Sequence, residues 1–370
     1  MSFPRIVARG APFARGEQYG AQARSRIEHC IRCYQALFVL RAGLDWPTAL
    51  QHARRFEPAI DAFAPECIEE MRGIAQGAGA SYDNILALNC RSELLFAALR
   101  GTRRVPPGEC TSFAVLPAAS ANGHLLIGQN WDWVPFAREV SVLLTVERDR
   151  KPGFTTVVEA GMLAKVGFNT AGLAVCTNTL VSTTDTAASG VPYHIILRRL
   201  LDAETFASAK DLLTSTERAL SANYLIGHAR GEAANFEASA GGRETLYITE
   251  PSRGLLCHAN HFLERAAAKT DSYVRLHPHS LTRLESLRKA LHSGVTLDAL
   301  RAALRSHENA PNGVCGHPDP KANPLQARTT VASVIADLTA GEAWITSGPP
   351  CTRDYETVRI SGLATALSLP

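Results

Sequence analysis

Residues Gly108-Glu109-Cys110-Thr111-Ser112-Phe113, followed by Gly128-Gln129-Asn130-Trp131-Asp132, decide how this chain is read. Ahead of them, Gly101-Thr-Arg-Arg-Val-Pro-Pro-Gly108 is too rich in proline and glycine to continue a helix and reads as an exposed loop. Behind them, Thr111 to Leu116 and His124 to Gly128 are short apolar runs separated by Ala121-Asn122-Gly123, a turn signal that joins hairpin strands. Cys110 is therefore expected to leave a loop and begin a strand. A thiol placed there can attack the carbonyl of the residue before it, giving a thioester that water resolves, so that Cys110 becomes the first residue of a new chain. The freed α-amino group has a reference pKa of about 7.7–8.0, against about 8.5 for a free thiol. One residue then supplies both nucleophile and base.

Upstream the texture is helical. Gly16 to about Leu40 carries Ile27, Ile31, Tyr34 and Leu37 on one stripe, and Pro47 to Phe63, Pro65 to Gly77 and a stretch from Ser81 follow as further helices. Cys30-Ile-Arg-Cys33 lies inside the first helix without a second cysteine pair, so it reads as packing. Downstream, strands are expected at Val140 to Glu147, Thr155 to Glu159, Lys165 to Asn169 and Leu173 to Thr177. Helices follow at Pro192 to Leu201 and Ala203 to Ser215. Strand patterns resume at Asn223 to His228, Ala233 to Ala238, Glu244 to Thr249 and Gly254 to His258. After a helical region from Ser280 to His307 and a loop from Asn309 to Pro324, closing strands are expected at Thr329 to Asp337, Ala343 to Thr346 and Thr357 to Ile360. Strand groups interrupted by paired helices imply stacked sheets covered by helices, an α+β architecture.

The 370 residues carry a formal charge of +3 from 38 basic and 35 acidic side chains, without long runs of one sign. That balance disfavours nucleic acid or an anionic membrane as a partner. No apolar run reaches the roughly 18 residues of a membrane span, and Met1 to Gly10 lacks the pattern of a secretory signal, so a cytoplasmic chain is expected. Nine scattered cysteines suit reduced thiols better than a disulfide scaffold.

Several segments occur in a telling order: Cys110-Thr-Ser-Phe, Gly128-Gln-Asn-Trp-Asp132, Glu159-Ala-Gly, Lys165-Val-Gly-Phe-Asn169, Gly190-Val-Pro with His194, and His258-Ala-Asn260-His261. Together with Glu69-Glu-Met-Arg-Gly-Ile-Ala75 and Asp83-Asn-Ile-Leu-Ala-Leu-Asn89, they resemble the acyl-coenzyme A:6-aminopenicillanic acid acyltransferase (isopenicillin N acyltransferase) family, peptidase family C45. The resemblance implies an N-terminal-nucleophile (Ntn) hydrolase: a four-layer αββα sandwich of two antiparallel sheets, preceded by a helical segment. It also implies autoproteolysis between Glu109 and Cys110. The products would be a mainly helical α fragment, 1–109, and a β fragment, 110–370, together forming one domain.

On that resemblance Cys110 is the nucleophile, Asp132 supports the amine or the substrate, and Asn260 is the oxyanion donor through its carboxamide N–H. Arg328 is the candidate for an arginine that precedes the late strand. Trp131 and Trp133 are either walls of an acyl pocket or core, and Glu159 and Asn178 either shape the pocket or satisfy buried backbone. His194 reads as structural. His258 and His261 flank Asn260 without a third ligand at convincing spacing, so no metal is assigned, and no cofactor. The expected activity is an amidohydrolase that acts on small N-acyl amides through an acyl-thioester on Cys110. An acyl-coenzyme A-dependent transferase is the near alternative, and an unprocessed binding protein the distant one. One departure stands out. The family commonly has glycine before the nucleophile, whereas here Glu109 stands there, and its carboxylate is expected to push the neighbouring thiol's pKa up before cleavage.

Overall fold

The computed structural model describes residues 2–99, 109–185 and 189–360. The 101–108 segment that the sequence casts as a loop lies outside the described residues. The chain opens with a strand that the sequence pattern did not announce, β1 (Arg5–Arg9), whose residues alternate exposed and buried. Next comes α1 (Pro12–Ala42), with proline in its first turn and Gly43 ending it at φ 62°. The single helix expected over 47–63 is two, α2 (Trp46–Ala53) and α3 (Glu57–Phe63), separated by a 3-10 turn. Pro58 is the reason: it has no N–H to continue the ladder and starts α3 instead. Then come α4 (Pro65–Ala78), α5 (Tyr82–Asn89), capped by the Ser81 hydroxyl, and α6 (Arg91–Leu99).

Helices α1 and α4 meet backbone to backbone. Gly16 and Gly20 of one face Gly73 and Gly77 of the other, and a Cβ on Gly77 would sit 2.0 Å from the Glu17 carbonyl oxygen. This close seam presents the buried side of the helical segment to the sheets. Arg15 and Arg198 both grip Glu70, at 2.6 and 3.2 Å, and Arg91 grips Glu159 at 2.7 Å, so charged pairs as well as apolar contacts join the helical segment to the rest of the chain.

Past residue 108 the strands are β2 (Glu109–Val115), β3 (Leu126–Trp133), β4 (Ser141–Glu147) after the short α7 (Phe136–Val140), β5 (Phe154–Glu159), β6 (Val166–Asn169) and β7 (Leu173–Thr179). Helices α8 (Tyr193–Leu200) and α9 (Phe206–Ser215) lead to β8 (Ala222–His228), β9 (Glu232–Ala238), β10 (Leu246–Thr249) and β11 (Leu255–His258). The region expected to be helical to His307 holds α11 (His279–Ala290) and α12 (Leu297–Leu304), after the short α10 (Arg265–Ala268). The chain closes with β12 (Thr329–Asp337), β13 (Glu342–Ser347) and β14 (Glu356–Arg359).

Two sheets result, one ordered β1-β4-β5-β6-β7-β8-β9-β10 and the other β11-β2-β3-β12-β13-β14. The pairing is antiparallel except at one edge, where β1 runs parallel to β4. This one parallel pairing departs from the otherwise antiparallel sheets because a strand contributed by the far end of the chain has no hairpin to set its direction. The sheets face each other through β2, β3 and β7, with α1 and α9 outside the larger sheet and α11 outside the smaller. That is the four-layer αββα order. Every residue of β2 and β3 is buried, as strands covered on both faces must be.

Candidate active site

Cys110 is the second residue of β2, and its position in the pleat fixes what surrounds it. Ser112, on the same face, bonds through its hydroxyl to Asn178 of the facing sheet at 2.7 Å, so this face of β2 looks into the gap between the sheets. Thr111, on the other face, accepts from Arg283 of α11 at 2.9 Å, so that face looks toward the outer helices. Trp131 lies directly across the ladder from Cys110, and Asp132 across from Glu109.

The backbone N–H of Cys110 is what cleavage would turn into the catalytic amine. β11 pairs with β2 only as far as His258 opposite Ser112, and beyond that point Asn260 takes over: its Oδ1 accepts the Cys110 N–H at 2.8 Å. Arg283 donates to the same oxygen at 3.0 Å, while Asn260 Nδ2 donates to the Thr179 carbonyl at 3.0 Å. Two donors on one end and an acceptor on the other fix the orientation of the amide. The Asn260 oxygen thus faces Cys110, while one of the two hydrogens on its Nδ2 is given to Thr179. The Asn260 backbone N–H and His261 Nδ1 both meet the Ser280 hydroxyl at 2.8 Å, which holds this turn against α11.

Asp132 is fully buried, with Thr330 donating to it at 2.6 Å and Arg328 Nε at 3.1 Å. Arg328, just ahead of β12, also contacts Glu109 at 2.7 Å. The structure thus brings Cys110, Asp132, Asn260 and Arg328 to one place. It adds Arg283, which the sequence reading missed and which also donates to the Cys110 carbonyl at 3.0 Å. The missed signal was legible: Ser280, Arg283, Leu284 and Leu287 form one buried stripe of α11, and an arginine on such a stripe needs buried partners.

Glu109 occupies a cage of cations. His279 Nε2 lies 2.6 Å from one carboxylate oxygen, and Arg328 and Arg283 lie 2.7 and 3.5 Å from the other. Burial would raise its pKa, but Arg328 and then Arg283, aided by His279, hold it well below the usual carboxylate range. His277 approaches the same carboxylate, yet two guanidiniums beside it disfavour a metal ion at this cluster. The thiol is governed by other groups. Burial pushes Cys110 up to about 11, the Asp132 carboxylate adds to the rise, and the Lys165 ammonium with the Asp132 backbone N–H opposes it. The carboxylate acting on the sulfur is thus Asp132 in place of the expected Glu109, because the cage neutralises Glu109.

The cage makes a stability prediction. In a Cys110→Ala background, where the chain stays whole, Glu109→Ala leaves buried cations uncompensated and should cost about 3–5 kcal/mol in chemical denaturation. Because the folded pKa is depressed, Glu109's contribution is complete well above the unfolded value of about pH 4.3 and is lost progressively as pH falls below it toward the depressed folded pKa. A loss below about 1 kcal/mol would mean that solvent, not the cage, stabilises the carboxylate.

Lys165 stands out in the sequence only as the start of a motif. In the fold it is buried, with its ammonium 5.2 Å from the Trp131 ring centroid and 5.3 Å from that of Tyr193. Burial and the nearby Arg91 pull its pKa down to about 8, against the attraction of Cys110 and Glu159. The neutral His194 beside it accounts for the turn of chain: its Nδ1 donates to the Ala164 carbonyl at 3.0 Å, the structural role expected of it.

The residues considered for substrate binding divide. Glu159 accepts from Arg91 at 2.7 Å and from the Tyr34 hydroxyl, so both its oxygens are engaged in a buried network. Trp133 donates to the Tyr34 hydroxyl at 3.0 Å beneath the Arg91 guanidinium, which places it in that same network and not on an open wall. Trp131 and Asn178 differ. Trp131 Nε1 and Asn178 Nδ2 are buried N–H donors without a partner among the described residues, both on the side of β2 that carries Cys110.

A family model described as acyl-coenzyme A:6-aminopenicillanic acid acyl-transferase matches residues 119–351, more than half of the chain, a span that includes Asp132, Asn260 and Arg328. The acyl-coenzyme A:6-aminopenicillanic-acid-acyltransferase 40 kDa form of Emericella nidulans is 29% identical over 259 residues, covering 70% of this chain and 69% of that protein. Among solved structures, a variant of conjugated bile acid hydrolase from Clostridium perfringens aligns with a TM-score of 0.43 at 12% identity, over 68% of this chain and 97% of its own. Penicillin V acylase from Agrobacterium tumefaciens aligns with a TM-score of 0.43 at 16% identity, over 69% and 88% respectively.

Proposed function

Because the chain belongs to the acyl-coenzyme A:6-aminopenicillanic acid acyl-transferase family, we propose that it is a self-processing enzyme that cleaves the Glu109–Cys110 bond and then breaks N-acyl amides through an acyl-thioester on Cys110. The observation that carries this reading is the bond from the Cys110 N–H to Asn260 Oδ1. An asparagine oxygen placed there holds a peptide N–H before cleavage and an α-amine afterwards, without changing its own charge.

In the uncut chain that amine does not exist, so the first proton must leave the thiol by another route. Lys165, with its pKa drawn down to about 8 and its charge felt by the sulfur, is the base for processing. After cleavage the α-amine of Cys110 takes over, and Asp132, fixed by Arg328 and Thr330, supports the site electrostatically. Asn260 Nδ2 keeps a second hydrogen beyond the one it gives Thr179, and the buried Trp131 Nε1 and Asn178 Nδ2, unpartnered among the described residues, are further donors available to a developing oxyanion.

Water is the default acceptor of the acyl group. Transfer to an amine is the second reading, favoured by the name of the Emericella nidulans relative. Denaturing electrophoresis and intact mass of the purified protein should show two fragments meeting at Glu109 and Cys110. With an acyl thioester as donor, release of free acid at the same rate with and without an amine acceptor supports hydrolysis, and acceptor-dependent consumption supports transfer. A chain that stays whole after long incubation and shows no thiol-dependent amidase activity removes the proposal.

A further inference from the structure

Away from Cys110, where α12 gives way to the loop that leads back to β12, four side chains converge without any assigned purpose. His307 Nε2 and His317 Nε2 lie 3.0 Å apart, Cys315 Sγ is 3.6 Å from His317 Nε2, and Cys351 Sγ is 3.2 Å from it. The two sulfurs are 3.6 Å apart, far beyond the bonded distance of about 2.05 Å. All four ligand atoms lie within 4.8 Å of one another.

We propose that His307, Cys315, His317 and Cys351 form a structural zinc site of the Cys₂His₂ type. Metal–sulfur bonds of about 2.3 Å and metal–nitrogen bonds of about 2.0–2.1 Å place the corners of a tetrahedron about 3.3–3.8 Å apart. The two 3.6 Å separations fall within that range, and those of 3.0 and 3.2 Å lie just below it. Thiolate and imidazole ligands favour zinc over the oxygen-seeking magnesium and calcium, and two thiolates cancel the charge of a divalent ion. All four corners come from the protein, so the site is closed, as structural zinc sites are and catalytic ones are not.

Its position gives it a task. Gly316, between two of the ligands, donates its N–H to the Thr330 hydroxyl at 2.8 Å and accepts the Thr330 N–H at 3.0 Å, and the Thr330 hydroxyl holds Asp132. Arg328 donates to the Gly313 carbonyl at 2.9 Å in the same loop. Across the cluster, Cys351 comes from the turn after β13, whose Pro350 carbonyl accepts from Arg305 at 2.9 Å. A bound ion therefore staples the 307–317 loop to that turn and steadies the Asp132–Arg328 pair from behind. Zinc-finger spacing is absent from the sequence, because the fourth ligand lies 34 positions from the third.

The test uses the untagged full-length protein, purified with reductant and without chelator. Elemental analysis should find about one zinc per chain, and Cys351→Ser and His307→Ala should each lose most of it, while Cys33→Ser keeps it. Should the variants not fold, chelator-stripped wild-type protein titrated with Co²⁺ should develop thiolate-to-cobalt charge-transfer bands and the visible bands of a tetrahedral ion. Re-addition of Zn²⁺ alone should raise the melting temperature. Zinc far below one equivalent with no cobalt–thiolate bands overturns the proposal. So does a Cys315–Cys351 disulfide recovered by peptide mass mapping of the freshly purified protein.

Discussion

Cys110→Ala is expected to yield one uncut 370-residue chain with amidase activity at background, while the wild-type protein divides into fragments of 109 and 261 residues. The size of the effect comes from one sulfur having two tasks. In the proposed mechanism it is the nucleophile toward the Glu109 carbonyl in the precursor and toward the substrate afterwards, and the amine proposed as base exists only once the first task is done. Removing it eliminates both steps, where loss of an orienting group would slow only one. The fold should survive, since Cys110 is a small buried side chain and alanine creates at most a small cavity, costing about 1–2 kcal/mol. Cys110→Ser should process slowly. Cleavage at Glu109–Cys110 in the alanine variant would show that some other group cuts the chain.

Lys165→Met should slow self-cleavage by about 10²-fold or more, the range associated with a general base, and should slow turnover of already processed enzyme far less. The asymmetry follows from the proposed mechanism, in which the precursor depends on Lys165 and the mature site has its own base. The wild-type cleavage rate should climb with pH until Lys165 loses its proton near 8, then level off. In the methionine variant that plateau should vanish, and the rate should go on rising toward the titration of the thiol itself, which burial holds at about 11 or above. Lys165→Arg separates proton transfer from charge. Arginine keeps a cation near Cys110 but does not accept a proton at these pH values, so a base requires the arginine variant to fail as methionine does. Wild-type processing in Lys165→Arg would reduce Lys165 to an electrostatic neighbour.

Some of this site could be read from a linear string and some could not. Cys110 was legible because the change from helical to strand texture falls on it, and the hairpin turn at Ala121-Asn122-Gly123 sets β3 against β2, so that Asp132 lies opposite Glu109. Local pattern pointed to Cys110, whereas Asp132, like Asn260 and Arg328, was singled out by the resemblance. Asn260 and Arg328 came from ordered motifs. Which end of the Asn260 amide meets Cys110 is fixed by Arg283 and Thr179, donor and acceptor from distant elements. Glu159 and Trp133 looked like pocket residues because they flank the motif stretches, yet Tyr34 and Arg91 of the helical segment engage them.

The one-dimensional pattern of the chain carries the α+β class, most strand and helix positions and the loop-to-strand boundary at which Cys110 is proposed as the nucleophile, because these depend on periodicity, proline and glycine, and turn chemistry acting over a few residues. Everything else came with tertiary packing. It put β1 parallel at the edge of the larger sheet, caged Glu109 between Arg283, Arg328 and His279, set Lys165 near the thiol and gathered His307, Cys315, His317 and Cys351. Charges and ligands act through space over a few ångströms, and Asp132 and Arg328, 196 positions apart in the chain, become neighbours only when β3 and β12 pair.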